Sequence, residues 1–145
     1  MSTPQVLKLW RGDASGGAFV DYTVAVEEGE GVLDAVLSVQ AEQAGDLAVR
    51  WNCKAGKCGS CSAEINGYPK LMCMTRLSSL PSGEPVTVTP LHTFPLIKDL
   101  VTDVSANYEK AKTVPPFKPR PPDPDGPYRM SQGRRRTLPG VPHLH

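Results

Sequence analysis

All four cysteines of this 145-residue chain fall within twenty-one positions, as Cys53-Lys-Ala-Gly-Lys-Cys58-Gly-Ser-Cys61 followed by Cys73 in Lys70-Leu-Met-Cys73-Met. Such crowding constrains the fold more than any other feature, because the rest of the chain must present these thiols together. Gly56 and Gly59 give the stretch between Cys53 and Cys61 the backbone freedom of a tight loop, since glycine accepts positive φ without a Cβ clash. The loop residues Gly56, Lys57, Gly59 and Ser60 are therefore expected to surround whatever the thiols bind, with backbone N–H groups turned toward sulfur.

The spacing C-x4-C-x2-C-x11-C matches, in its first intervals, the run that holds a 2Fe-2S cluster with four thiolates. Cys53, Cys58, Cys61 and Cys73 are the candidate ligands. Three other readings compete. Two disulfides suit a secreted chain, but no apolar signal segment opens this sequence. Structural zinc favours two short, well-separated pairs, whereas here one interval is x4 and the fourth cysteine stands alone. Inert buried thiols leave the bracketed glycines unexplained.

Length fits one domain and a tail. No apolar run approaches the roughly 20 residues that span a bilayer. Charge is uneven: residues 1–113 carry ten Lys/Arg against thirteen Asp/Glu, and residues 114–145 six against two. The body has no basic face of the kind that binds nucleic acid, and no nucleic-acid partner is expected.

Residues 5–11 alternate and favour a strand, residues 12–17 a turn, and residues 18–26 a second strand with Phe19, Tyr22, Val24 and Val26 as its buried positions. The pair makes a hairpin. Residues 32–44 change period: Leu33, Val36, Leu37, Gln40, Ala41 and Ala44 form the apolar stripe of a helix that Gly45 ends, with Asp34 in its first turn. Residues 47–51 lead into the loop, and Trp51 is expected in the core, with packing near the loop or against a partner as the alternative. Residues 62–66 and 70–73 form a hairpin about a turn at Gly67-Tyr-Pro69, returning Cys73 to the other thiols. Residues 84–89 make a closing strand, and residues 96–112, with Leu96, Leu100, Val104 and Tyr108 at helical spacing, a last helix. The order describes an α+β chain with a β-grasp, ferredoxin-like arrangement.

Cys53-x4-Cys58-Gly-Ser-Cys61-Ser-Ala-Glu-Ile-Asn-Gly67, with Cys73 close behind, resembles the iron-sulfur subunit of succinate dehydrogenase or fumarate reductase. Pro90-Leu-His-Thr-Phe-Pro-Leu-Ile-Lys-Asp-Leu-Val-Thr-Asp103, Val114-Pro-Pro-Phe-Lys-Pro and Tyr128-Arg-Met-Ser-Gln132 continue the likeness. The resemblance implies an electron-transfer subunit that exchanges electrons with an FAD-containing flavoprotein subunit through the 2Fe-2S cluster. It implies a cytoplasmic location, peripheral to the inner face of the cell membrane through a membrane-anchor subunit. Catalytic residues for the dicarboxylate are expected on the flavoprotein and none on this chain. Lys54 stands where that family usually has arginine, and Lys57 where it often has a branched apolar residue. Either side chain raises the cluster potential or serves as a solvated or partner-contacting charge.

The family continues into a helical domain with 4Fe-4S and 3Fe-4S clusters, whereas this sequence has no cysteine after Cys73. The expected organisation is a ferredoxin-type domain over residues 4–112, a proline-rich linker over 113–132, and an unstructured tail over 133–145. Nine of the fifteen prolines lie in residues 114–145, a linker composition. One permissible set of codons for residues 133–145, read from its second base, gives Asp-Val-Asp-Glu-Arg-Ser-Gln-Glu-Phe-Arg-Thr-Cys. That string is similar to the family's approach to its next cysteine group, so the tail is expected to be an out-of-frame end. The small iron-sulfur subunit of a molybdenum hydroxylase and a stand-alone ferredoxin are the alternatives. His92 has no candidate nucleophile or metal-helix pattern around it and is expected to be structural or at an interface.

Overall fold

The computed structural model describes residues 2–121. The chain divides into two compact units, Met1–Thr113 and Val114–His145. Of the second, residues 114–121 are exposed and irregular; the rest of the expected linker and the tail over 133–145 lie outside the described residues. Among the described residues no helix is long and apolar enough to cross a membrane.

Two long strands start the first unit. β1 (Thr3–Asp13) and β2 (Gly16–Val26) pair antiparallel in unbroken register from Thr3↔Val26 to Asp13↔Gly16. The strands close so tightly at the turn that a Cβ on Gly12 would stand 2.4 Å from the Gly16 carbonyl oxygen, and one on Gly17 2.4 Å from that of Arg11. The period of two decides the rest: Leu7, Leu9, Val24 and Val26 face inward and are buried. Phe19 corrects the expectation. It is odd where Tyr22, Val24 and Val26 are even, so it lies on the outer face, 46% exposed and edge-on to Trp10 at 5.6 Å.

Helix α1 (Val32–Glu42) buries Val32, Leu33, Ala35, Val36 and Val39 in the same core cluster as these strands. Ala41, expected in the stripe, is exposed, and the helix stops before Ala44. Gln43 and Ala44 both turn their N–H groups onto the Val39 carbonyl, which leaves no register for another turn. Two of the helix's first N–H groups find tertiary partners: Val32 donates to the Thr75 carbonyl at 2.9 Å and Leu33 to that of Met72 at 3.1 Å.

The remaining strands are β3 (Ser62–Ile65), β4 (Tyr68–Leu71), β5 (Val86–Thr89), β6 (Leu96–Lys98) and β7 (Val101–Thr102), with a short 3-10 helix at Leu77–Ser79. The sheet order is β4-β3-β5-β1-β6-β7, with β2 on the other side of β1; β5 runs parallel to β1 through Leu7↔Val86 and Leu9↔Val88. This mixed sheet with α1 packed on it is the expected α+β class. The hairpin turn is Asn66-Gly67, with φ of 50° and 81°, not the expected Gly67-Tyr-Pro69. Two positive φ values in a two-residue loop match the right-handed twist of the strands. Pro69 sits in β4, at the sheet edge, where its missing N–H costs nothing.

Residues 96–112 are also corrected. Only α2 (Ser105–Lys112) is helical, and it buries no side chain. Residues 96–102 form the β6–β7 hairpin because Asp99, at φ 49°, is held by tertiary bonds. Its Oδ1 accepts the Gly12 N–H and its Oδ2 the Ala48 N–H, each at 2.9 Å, while Arg11 Nε lies 3.2 Å from Oδ1. Burial alone would lower the Arg11 pKa, but hydrogen bonds with Asp46, Tyr22 and Asp99 outweigh it and raise the value above the ordinary one.

Candidate metal centre

The segment that delivers the first thiol is irregular but anchored. Leu47 is buried and its carbonyl accepts the Gln40 amide at 2.8 Å; Ala48 accepts the Leu100 N–H at 3.2 Å; Arg50 donates to the Thr102 carbonyl at 3.2 Å. Trp51, expected in the core, is instead 45% exposed beside the loop, because this segment lies on the β6–β7 hairpin and not in the sheet. The Lys54 ammonium sits 5.0 Å from its ring centroid.

Residues 53–61 then curl around sulfur. Lys54, Gly56 and Gly59 have φ of 51°, 66° and 74°. The turn so made aims three backbone N–H groups at Cys53 Sγ: Ala55 and Lys57 at 3.3 Å and Cys58 at 3.4 Å. The Ser60 N–H reaches Cys58 Sγ at 3.4 Å. The β3–β4 hairpin brings the fourth thiol back: Met72 N–H donates to the Cys61 carbonyl at 3.1 Å, and Cys73 N–H reaches Cys61 Sγ at 3.4 Å. Lys57 thus contributes through its backbone, and Ser60 through both its N–H and its hydroxyl. Gly56 and Gly59 contribute shape, and the Gly59 carbonyl accepts the Ser62 N–H and hydroxyl. The donors on Ala55, Cys58 and Cys73 leave no trace in a sequence, since every residue but proline carries the same N–H.

The four environments differ. Cys61 is buried, Cys53 and Cys73 are half-buried, and Cys58 is exposed. Backbone N–H groups of Ala55, Cys58 and Lys57 hold the Cys53 pKa below the usual thiol value. Hydrogen bonds with the Ser60 hydroxyl, the Cys53 backbone and the Ser60 N–H push Cys58 down to about 6. Burial pushes Cys61 up. Donors on a sulfur favour its anionic form, the form that ligates metal.

Backbone N–H groups link the thiol-bearing residues two by two: the Cys58 N–H lies 3.4 Å from Cys53 Sγ and the Cys73 N–H 3.4 Å from Cys61 Sγ. Among the described residues no group of three or more His, Cys, Asp or Glu could hold a single metal ion. Four cysteines, with backbone N–H groups directed at the sulfurs of three of them, are the donor chemistry of a 2Fe-2S group.

Met74 completes the rim. Met74, 61% exposed, lies over Gly56, where a Cβ would stand 2.9 Å from its Cγ. Gly56→Ala is expected to lower stability to urea by about 1–2 kcal/mol, the cost of a left-handed non-glycine residue. The exposed thioether can swing aside, so adding Met74→Ala should not restore the loss; restoration would show that the contact, not the backbone, was the constraint. His92 is held by Glu64, which accepts its backbone N–H at 3.1 Å and meets its Nδ1 at 2.6 Å, a structural latch between β3 and residues 90–95.

A family model described as "2Fe-2S iron-sulfur cluster binding domain" matches residues 6–109. The chain is 40% identical over 120 residues to the fumarate reductase iron-sulfur subunit of Mycobacterium tuberculosis, covering 81% of this chain and 48% of that protein. It is 37% identical over 125 residues to the mitochondrial succinate dehydrogenase (ubiquinone) iron-sulfur subunit 1 of Oryza sativa, covering 83% and 44%. A solved structure titled "Mycobacterium smegmatis Sdh1 complex in the apo form" contains a chain 60% identical, with a TM-score of 0.78, covering 92% of this chain and 56% of that one. The chain spans about half the length of the relatives it matches.

Proposed function

This chain belongs to the family of 2Fe-2S iron-sulfur cluster binding domains, and from that premise we propose that it transfers electrons as part of the iron-sulfur subunit of a succinate dehydrogenase or fumarate reductase. Cys53, Cys58, Cys61 and Cys73 would hold a 2Fe-2S cluster, which when bound supplies a one-electron carrier. The observation that carries this reading is the set of five backbone N–H groups directed at the sulfurs of Cys53, Cys58 and Cys61, the last of them from Cys73.

The chain's own residues position and tune. N–H donors at Cys53, Cys58 and Cys61 stabilise negative charge on sulfur and so favour the reduced state. Buried Cys61 excludes water from the sheet side, while exposed Cys58 and the loop around it form the edge open to a redox partner. That partner is the FAD-containing flavoprotein subunit, which carries the chemistry on succinate or fumarate. In the full-length family, 4Fe-4S and 3Fe-4S clusters and a membrane-anchor subunit continue the path, placing the assembly at the inner face of the cell membrane.

Iron and acid-labile sulfide, quantified on anaerobically prepared protein, are expected at about two each per chain, with an S = 1/2 EPR signal after dithionite. Adding the flavoprotein subunit and succinate should produce the same signal without dithionite. Zinc in place of iron, or no signal, would overturn the cluster. A signal with dithionite alone would remove the partner and keep the cluster.

A further inference from the structure

The N-terminal turn of α1 touches both ends of the thiol-bearing stretch. The Val32 and Leu33 N–H groups bond the Thr75 and Met72 carbonyls, which bracket Cys73. Asp34, in the same turn, uses Oδ2 to accept the Gly31 N–H at 3.1 Å and Oδ1 to meet Lys54 Nζ at 3.2 Å, beside Cys53. Lys54 also stands over Trp51 and has a left-handed backbone that lysine adopts only when its surroundings hold it there.

We propose that Asp34 and Lys54 are a positioning pair, which locks the turn after Cys53 to helix α1 and fixes the charge beside the sulfurs, thereby setting the potential of the bound cluster. The potential part rests on the reading that the four cysteines hold a cluster; the locking part stands on the chain alone. The carboxylate is at home at a helix N-terminus, where the macrodipole is positive. The ammonium it engages is attached to the residue after a ligand, so its position bears directly on the energy of the extra electron. An ion pair this exposed contributes little to global stability. A merely structural role would leave the potential where it is.

The full chain is made as wild type, Lys54→Met, Lys54→Arg and Asp34→Asn. Two quantities are read: the midpoint potential by EPR-monitored titration, and the rate at which iodoacetamide alkylates Cys53 in cluster-free protein, by peptide mass spectrometry. Lys54→Met is expected to lower the potential and speed alkylation several-fold, and Lys54→Arg to restore both. Asp34→Asn removes a negative charge and should raise the potential while speeding alkylation as Lys54→Met does. Opposite potential shifts with the same gain in thiol access mark the pair. Unchanged potentials, or shifts of one sign in both variants, would overturn the tuning role. Unchanged alkylation rates would overturn the lock. A wild-type chain that binds no iron would overturn the cluster reading and with it the tuning, while the alkylation rates still decide the lock.

Discussion

Replacing any one of Cys53, Cys58, Cys61 or Cys73 by alanine is expected to empty the centre, with iron and sulfide falling from about two each per chain to near zero and the S = 1/2 signal lost. Four thiolates are the whole donor set of such a cluster. The four losses should not be equally final. Cys58 is exposed, so a small external thiol can reach the vacated position, and 2-mercaptoethanol should partly restore iron to Cys58→Ala. Cys61 is 3% exposed behind the β3–β4 hairpin, and Cys61→Ala should stay empty under the same treatment. Lys57→Ala and Ser60→Ala keep their backbone N–H groups on sulfur and should retain both irons. Full iron in any one of the four alanine variants would strike that cysteine from the ligand set.

Asp99→Ala should destabilise the domain by about 3–5 kcal/mol, the range for removing one partner of a buried charged pair. Its carboxylate is 1% exposed and serves the Gly12 N–H, the Ala48 N–H and Arg11 together. Alanine would strand two donors and a guanidinium that the remaining contacts keep charged. Asp99→Asn retains an acceptor and tolerates positive φ, so its loss should be smaller. Urea unfolding separates the two: a lower midpoint at unchanged slope marks lost stability, with Ala well below Asn. Equal losses would mean that the charge matters and the hydrogen bonds do not. Because Ala48 leads into Cys53, Asp99→Ala should also load iron poorly near its melting range.

Where local pattern and tertiary structure agree, the fold was legible. Leu7, Leu9, Val24 and Val26 alternate and face the core; Leu33 and Val36 mark the helix face. The failures have specific causes. Leu96, Leu100, Val104 and Tyr108 repeat every four residues and imitate a helix, but Asp99 gives up local bonds for Gly12 and Ala48, contacts invisible in a linear pattern. The Asn66-Gly67 turn was readable, since Asn-Gly between alternating residues is a strong hairpin signal, and Pro69 distracted from it. At the thiols, the loop that wraps Cys53 and the hairpin that returns Cys73 to Cys61 follow from the spacing. The Asp34–Lys54 contact does not, because it joins a helix cap to a loop twenty residues on.

The parallel pairing of β1 with β5 makes the first strand wait for a late one. During synthesis the β1–β2 hairpin and α1 are complete, and all four thiols have emerged, before Val86 and Val88 arrive to occupy the second edge of β1. Contacts so distant in sequence form slowly. The pairing that closes this domain therefore comes after the residues that carry its thiols have been made, while the second edge of β1 is still open.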